Sequence, residues 1–277
     1  MKTATRTAPD AEAEPFRFAL LCHQRSGSNA LSAILDADPR VGLYGQLFNP
    51  FLEYRIRNLR HGFGGYKRHP EALRHFGLKP PLRPRLEAAG LRLWPAVTRL
   101  DRQTRAFWRK YPRGRPLGAV GFKLHDYQLV DEELAGLARD HVDGVVMLWR
   151  RNLLKAAVSW AYAIKTDVWS SRDDRGRGQP VHRLDPDEIG WFIEKTAAEV
   201  ARWRGLLKGA NALELTYEDH VAPRKLDALY GFLGLGEPGS LEFRTKRLSR
   251  PDYAHVSNAA ELDERFGSDE TGRLFAD

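Results

Sequence analysis

The chain has a single cysteine, Cys22, among 277 residues, so no intrachain disulfide framework can form and nothing points to an oxidising compartment. Cys22 itself reads as a small core residue at a strand end. No apolar run approaches bilayer-spanning length. The opening MKTATRTAPDAEAEPF lacks the apolar centre of a secretory signal, so residues 1–15 are expected to form a disordered tail and the chain to be cytoplasmic. No set of His, Cys, Asp and Glu has metal-binding spacing, which predicts chemistry without a metal. Internal repeats and low-complexity tracts are also missing. Acidic residues are scarce between Arg55 and Arg115, and the chain as a whole carries a formal net charge of +8. That surplus suits an anionic ligand, with nucleic acid and acidic membranes as the other partners it would fit. A hydrophobic content of 42% with a mean hydropathy of −0.51 is that of a soluble globular protein, here one large domain over residues 16–277.

The most informative stretch is FRFALLCHQRSGSNALSAILD, Phe16 to Asp36. Phe16 to Cys22 reads as a buried strand, and Leu31, Ile34 and Leu35 have helical spacing. Between them lies Gln24-Arg25-Ser26-Gly27-Ser28-Asn29. A strand, a small polar loop and a helix start bring backbone N–H groups and the positive end of the helix dipole onto one anion. Gly27 lets the backbone approach it, Ser26, Ser28 and Asn29 add side-chain hydrogen bonds, and Arg25 adds fixed charge. The Lys-Ser/Thr of a Walker A loop is missing, which disfavours ordinary ATP or GTP hydrolysis.

Further strands are expected at Val41–Tyr44, Leu117–Leu124, Val142–Trp149 and Ala212–Leu215, alternating with helices at Gln128–Arg139, Leu153–Lys165, Asp187–Leu207 and Pro223–Leu233. The alternation predicts an α/β fold, three-layered and P-loop-like, with a central, mainly parallel sheet whose ligands sit beyond the strand carboxyl ends. Residues 51–116 read as a basic helical insertion over the active face, with Leu86–Tyr111 its clearest helix and Trp94, Phe107 and Trp108 packed. Ser170–Pro186 reads as a flexible loop, and Glu242–Asp277 as a polar tail.

Two more patterns fall at strand ends. In WRRNLLKAAVSW, Arg151 directly follows a strand and Ser159 lies eight residues on, so both can reach one anion if the helix packs back over the loop. In LTYED, Tyr217 closes a late strand. Together with the first loop, these resemble the PAPS-dependent sulfotransferases, of the bacterial or carbohydrate type; PAPS is 3′-phosphoadenosine 5′-phosphosulfate. The first loop resembles that family's 5′-phosphosulfate loop, with Gln24 where Pro is usual. Arg151, Asn152 and Ser159 resemble its 3′-phosphate motif, with Leu153 in place of a frequent Pro. Tyr217-Glu218-Asp219 and Gly231-Phe232-Leu233-Gly234 are similar to its later elements, as is His255-Val256-Ser257-Asn258, which would close over the nucleotide.

The resemblance implies PAPS as donor and PAP (3′-phosphoadenosine 5′-phosphate) as product, bound through Arg25, Ser26, Gly27, Ser28, Asn29, Arg151 and Ser159, with Tyr217 near the adenine and no metal. The acceptor would be a hydroxyl of a carbohydrate or glycosylated small molecule. Where the family commonly has a catalytic Glu, Gly45-Gln46-Leu47-Phe48-Asn49 offers Gln46, which can orient a hydroxyl but not take its proton. Three readings stay open: a deliberate Glu-to-Gln change, another base such as His125 or His23, or donor binding without turnover. Gln46, Arg25 and His125 are thus the candidate catalytic residues, and Lys123, on the same strand face as His125, could meet the acceptor or sulfuryl group. The rivals are a P-loop-type small-molecule kinase and a non-catalytic basic nucleotide- or nucleic-acid-binding protein; nucleic acid is disfavoured because no such module is visible. A membrane span is not expected, and a homodimer is compatible with the sequence.

Overall fold

The computed structural model describes residues 14–48, 96–111, 116–168, 180–220, 226–238 and 253–275. Most of the expected insertion, most of the loop before Pro186, and Lys246, Arg247 and Arg250 lie outside these residues, as do residues 1–13 and Asn49.

Five strands form one parallel sheet: β1 (Phe16–Cys22), β2 (Val41–Gln46), β3 (Ala119–His125), β4 (Gly144–Trp149) and β5 (Ala212–Thr216), in the order β2-β3-β1-β4-β5. The strand rich in aliphatic residues, β1, sits in the middle. The chain leaves β1 toward β2 on one side and later crosses to β4 on the other, so the order reverses beside β1. That is where open parallel sheets hold ligands, because the flanking loops diverge there and leave a crevice.

Both sheet faces are buried, as parallel sheets require. On one face Phe18, Leu20, Val146 and Leu148 pack against α1 (Ser28–Ala37) through Leu31, Ile34 and Leu35, and against α7 (Leu226–Phe232) through Leu229 and Tyr230. On the other, Ala19, Leu21, Phe122 and Met147 pack against α2 (Ala96–Lys110), α3 (Asp131–Asp140) and the end of α5 (Pro186–Leu206), through Phe107, Leu137 and Trp203. The three-layer α/β arrangement expected from the alternation of elements is therefore present. A third cluster stands apart from the sheet: α4 (Leu153–Thr166), the first half of α5 and α8 (Ala259–Phe266) pack through Trp160, Ile189, Phe192 and Leu262. A short helix, α6 (Tyr217–His220), follows β5 directly.

Two expectations change. In helix α2 Phe107 is packed as expected, fully buried against Tyr44 and Phe122 in the sheet's own core. Helix α3 begins at Asp131, not Gln128, because the Glu133 carboxylate accepts the Val130 N–H at 3.2 Å and fixes the start there. The polar tail contains α8, held by Asn258, whose side chain exchanges hydrogen bonds with both the N–H and the C=O of Leu184 at 3.0 Å. Along α5, Ile189, Phe192 and Ile193 are buried, while Trp191 is exposed.

In β3, Gly121 is closely packed: an added Cβ would lie 2.6 Å from the Phe18 carbonyl oxygen and 2.7 Å from its ring. Backbone cannot give way, so Gly121→Ala should lower unfolding free energy by about 1–3 kcal/mol. Gly231 in α7 has nothing within 4 Å of such a Cβ, and Gly231→Ala should be neutral or stabilising by up to about 1 kcal/mol. Urea unfolding of the two variants beside the native chain checks both signs.

Candidate active site

The loop after β1 has the shape of an anion receptor. Arg25 (φ 62°) and Gly27 (φ 80°) both take left-handed backbone. For Arg25 this is strained by about 1–2 kcal/mol. Gly27 caps α1 without a side-chain oxygen, so the first N–H groups of the helix have no side-chain cap. Ser26 is turned inward, with its hydroxyl donating to the His23 carbonyl at 2.8 Å. That bond braces the loop from within. Ser28 and Asn29 open the helix, and Lys123 Nζ donates to Asn29 Oδ1 at 2.8 Å and to Ser28 Oγ at 3.4 Å.

Arg25 reaches away from its own helix and donates through Nε to Ser159 Oγ at 2.8 Å. The contact joins the first loop to the second turn of α4. Burial, and then the neighbouring Arg150 guanidinium, pull the Arg25 pKa down to about 10. A buried cation beside another cation is stabilised by an arriving anion. Burial likewise lowers the pKa of Lys123, with the Cys22 thiol acting weakly the other way. Cys22 is itself pushed up to about 11 by burial and stays a thiol.

Arg151, just ahead of α4, makes different contacts. Its N–H donates to Glu218 Oε2 at 3.0 Å, and its half-exposed guanidinium lies 3.4 Å from Asp219 Oδ1. The Asn152 N–H donates to the other Glu218 oxygen at 3.2 Å, and its side-chain oxygen caps α4 by accepting from Lys155 N at 2.8 Å. The carboxylate of Glu218 thus neutralises the positive end of α4, ahead of Ser159. Tyr217 stacks under Arg150, whose Cζ is 4.6 Å from its ring centroid. Ser159 is therefore bonded to the Arg of the first motif, not the Arg151 with which its sequence spacing groups it.

The candidate proton-handling groups lie at the β2 and β3 ends. Gln46 is paired in register with Lys123 and accepts from Gln128 Nε2 at 2.9 Å. The Gln128 side chain could not be anticipated at the site, since the sequence places it inside a helix. His125 is buried, with Nδ1 3.2 Å from the Cys22 carbonyl oxygen. Burial, followed by the Lys123 charge, lowers its pKa to about 3, so the ring is neutral. His255 packs edge-on to Tyr162 in the third cluster, 4.6 Å between centroids, and Asn258 ties α8 to residue 184. Both act in packing here.

The sequence also gave no sign of one group. His23, Asp126 and Glu199 bring side-chain N and O atoms within 4.8 Å of one another from positions far apart in the chain. The Lys195 ammonium already supplies positive charge there, at 2.7 Å from Asp126 Oδ2 and 2.8 Å from Glu199 Oε2.

No protein-family description matches the sequence, and no curated protein does. Among solved structures, the chain superposes on a sulfotransferase from Alicyclobacillus acidocaldarius at 14% identity and a TM-score of 0.46, over 92% of each chain. It superposes on the sulfotransferase domain of the Synechococcus PCC 7002 olefin synthase at 17% identity and a TM-score of 0.38, over 96% of this chain and 82% of that one. Likenesses this distant establish neither an activity nor a ligand. Among the described residues, no helix is long and apolar enough to cross a membrane.

The neutral His125 ring has a measurable consequence. As pH falls below about 6.5, the unfolded chain takes up a proton that the folded ring refuses until about pH 3. The native protein should therefore lose stability on acidification at up to about 1.4 kcal/mol per pH unit from this group. In His125→Gln that slope disappears, so between pH 7 and 5 the native chain should lose about 2 kcal/mol more than the variant. Urea unfolding at three pH values reads the difference, and parallel pH dependences would show that the ring is not held neutral.

Proposed function

We propose that this protein is a PAPS-dependent, metal-independent sulfotransferase, transferring a sulfuryl group to a hydroxyl of a carbohydrate or glycosylated small molecule in the cytoplasm. The observation that carries the reading is the Arg25–Ser159 hydrogen bond. It joins the Arg-Ser-Gly-Ser loop and the Arg-to-Ser helix, the two patterns through which the sequence resembles sulfotransferases, at one point beyond the strand ends. Lys123 enters the same loop from β3.

In this reading the loop N–H groups of Gly27 to Asn29, Arg25 and Ser159 hold the donor's phosphates, Arg151 adds charge at the rim, and the Tyr217–Arg150 stack borders the adenine. Transfer requires the acceptor oxygen to form a bond to sulfur while the bond from sulfur to the 5′-phosphate oxygen breaks, its electron pair leaving on the phosphate. Arg25, Lys123 and the start of α1 are arranged to stabilise that charge, and charge-assisted bonds of this kind contribute about 1.5–3 kcal/mol each. The acceptor's proton must go to a base, and an amide such as Gln46 cannot take it. His125 is the better candidate. With Nδ1–H donating to the Cys22 carbonyl, the ring keeps Nε2 as the acceptor. Burial opposes its protonation most, and the lesser opposing cause, the Lys123 charge, is offset once an anionic group lies beside that lysine. Gln46, backed by Gln128, then orients the hydroxyl.

Calorimetric titration of PAP into the purified protein, with chelator present, tests the donor site. Micromolar binding is expected, weakened tenfold or more by Arg25→Ala and by Arg151→Ala. An intact protein that ignores PAP would overturn the reading.

A further inference from the structure

The buried group around Lys195 has no part in the transfer just described, yet it touches both halves of the site. Lys195 and Glu199 lie one turn apart on α5 and are bonded to each other at 2.8 Å. Lys195 also donates to Asp126, the residue after His125, at 2.7 Å. Glu199 Oε2 lies 3.4 Å from His23 Nδ1, and the His23 ring stacks on Trp203, another turn along α5, at 4.1 Å between centroids. The His23 carbonyl in turn receives both the N–H and the hydroxyl of Ser26. One helix thus grips the exit of β3 through Asp126 and the exit of β1 through His23, and the second grip is where the anion loop begins.

We propose that Lys195 and Glu199 are positioning residues: they brace the anion loop on the β1 exit against the β3 exit, and protonation of Glu199 tunes how strongly the loop takes an anion. The choice of probe rests on the sulfotransferase reading; the brace itself does not.

The charge balance shows why the proton matters. Lys195 faces two carboxylates. From α5 itself Arg202 also faces Glu199, but it is bonded to Asp131 of α3 at 2.6 Å. The β3 exit contributes Asp126 and, next to it, His125; the β1 exit contributes His23. With Glu199 and Asp126 both ionised, the two carboxylates outnumber the Lys195 ammonium and leave an excess negative charge beneath the anion loop. Burial, then Asp126, push the Glu199 pKa up to about 7, against the pull of Lys195. Lys195 is raised: its two carboxylates outweigh the burial that would lower it. At neutral pH the excess charge is therefore partly removed by a proton. An anion bound above would favour that proton further, and by linkage the proton favours the anion.

PAP titrations at pH 6 and pH 8.5, on the native chain and on Glu199→Gln, test this. PAP's own phosphate ionisation cancels in the ratio of the two dissociation constants. The amide imitates the protonated acid, so the two proteins should agree within about twofold at pH 6, and the variant should bind roughly fivefold tighter at pH 8.5. A ratio that does not move with pH overturns the proton's role. Lys195→Met leaves Asp126 and Glu199 without their shared cation and should weaken PAP at both pH values; an unchanged affinity overturns the brace. If the native chain binds no PAP, the sulfotransferase reading fails, and stability alone then tests the Glu199 proton, while loss of stability in Lys195→Met tests the brace. Because the folded Glu199 holds its proton up to about pH 7, the folded state binds more protons than the unfolded one above about pH 4.5. The native chain should therefore lose stability relative to Glu199→Gln as pH rises from about 4.5 to 7, then stay level. Parallel curves would refute it.

Discussion

A positive charge partly withdrawn from water governs this structure. The Arg25 guanidinium is enclosed between the β1 exit and α4, with the Ser159 hydroxyl on its Nε. A buried cation is tolerated only when its hydrogen bonds are met and its field is used. Much of the surrounding geometry follows from meeting that demand. The chain turns left-handed at Arg25 to aim the side chain away from its own helix. Helix α4 leaves the sheet rather than packing down on it, which keeps its second turn beside the loop. Its core is made mainly with α5 and α8, with Trp149 of β4 packed against it.

The strand order supplies the rest. With β1 central, the exits of β3 and β4 flank the anion loop, and each brings a different chemistry. The β4 side brings Arg150, Arg151 and a helix start whose positive pole is met by Glu218. The β3 side brings Lys123 and His125, buried and held neutral or poorly solvated. In the proposed function, one side serves recognition of charge and the other movement of a proton. Helix α5 belongs to neither, but its buried lysine and glutamate touch the exits that separate them.

The local pattern of the sequence carried most of the fold. Runs such as FRFALLC and VVMLW can only be strands buried on both faces, and the alternation with helices implies a parallel sheet. The loop between β1 and α1 was legible for the same reason, since its residues are adjacent in the chain. What depends on long-range pairing was not. Nothing in the spacing of Arg151 and Ser159 says that Ser159 bonds to Arg25, 134 positions away. The four members of the Lys195 group come from three separate elements, so no window of sequence contains them. Phe107 and Trp108 looked like the packed aromatics of an insertion because their partners Tyr44 and Phe122 are distant. Helix α8 was missed because its buried face is narrow, chiefly Ala259 and Leu262.

The start of α4 is finished by residues far downstream. Thr271 accepts the Leu154 N–H at 3.1 Å, the Arg273 carbonyl accepts the Asn152 side chain at 2.8 Å, and Gly272 passes so close that a Cβ would lie 2.4 Å from Asn152 Cγ. On the ribosome this imposes an order of events. The sheet's first four strands and the anion loop can be laid down while α4 still lacks its outer partners. Only when residue 273 has emerged does the start of α4 acquire its final support. Until then the nascent chain holds that helix start without the contacts that finish it.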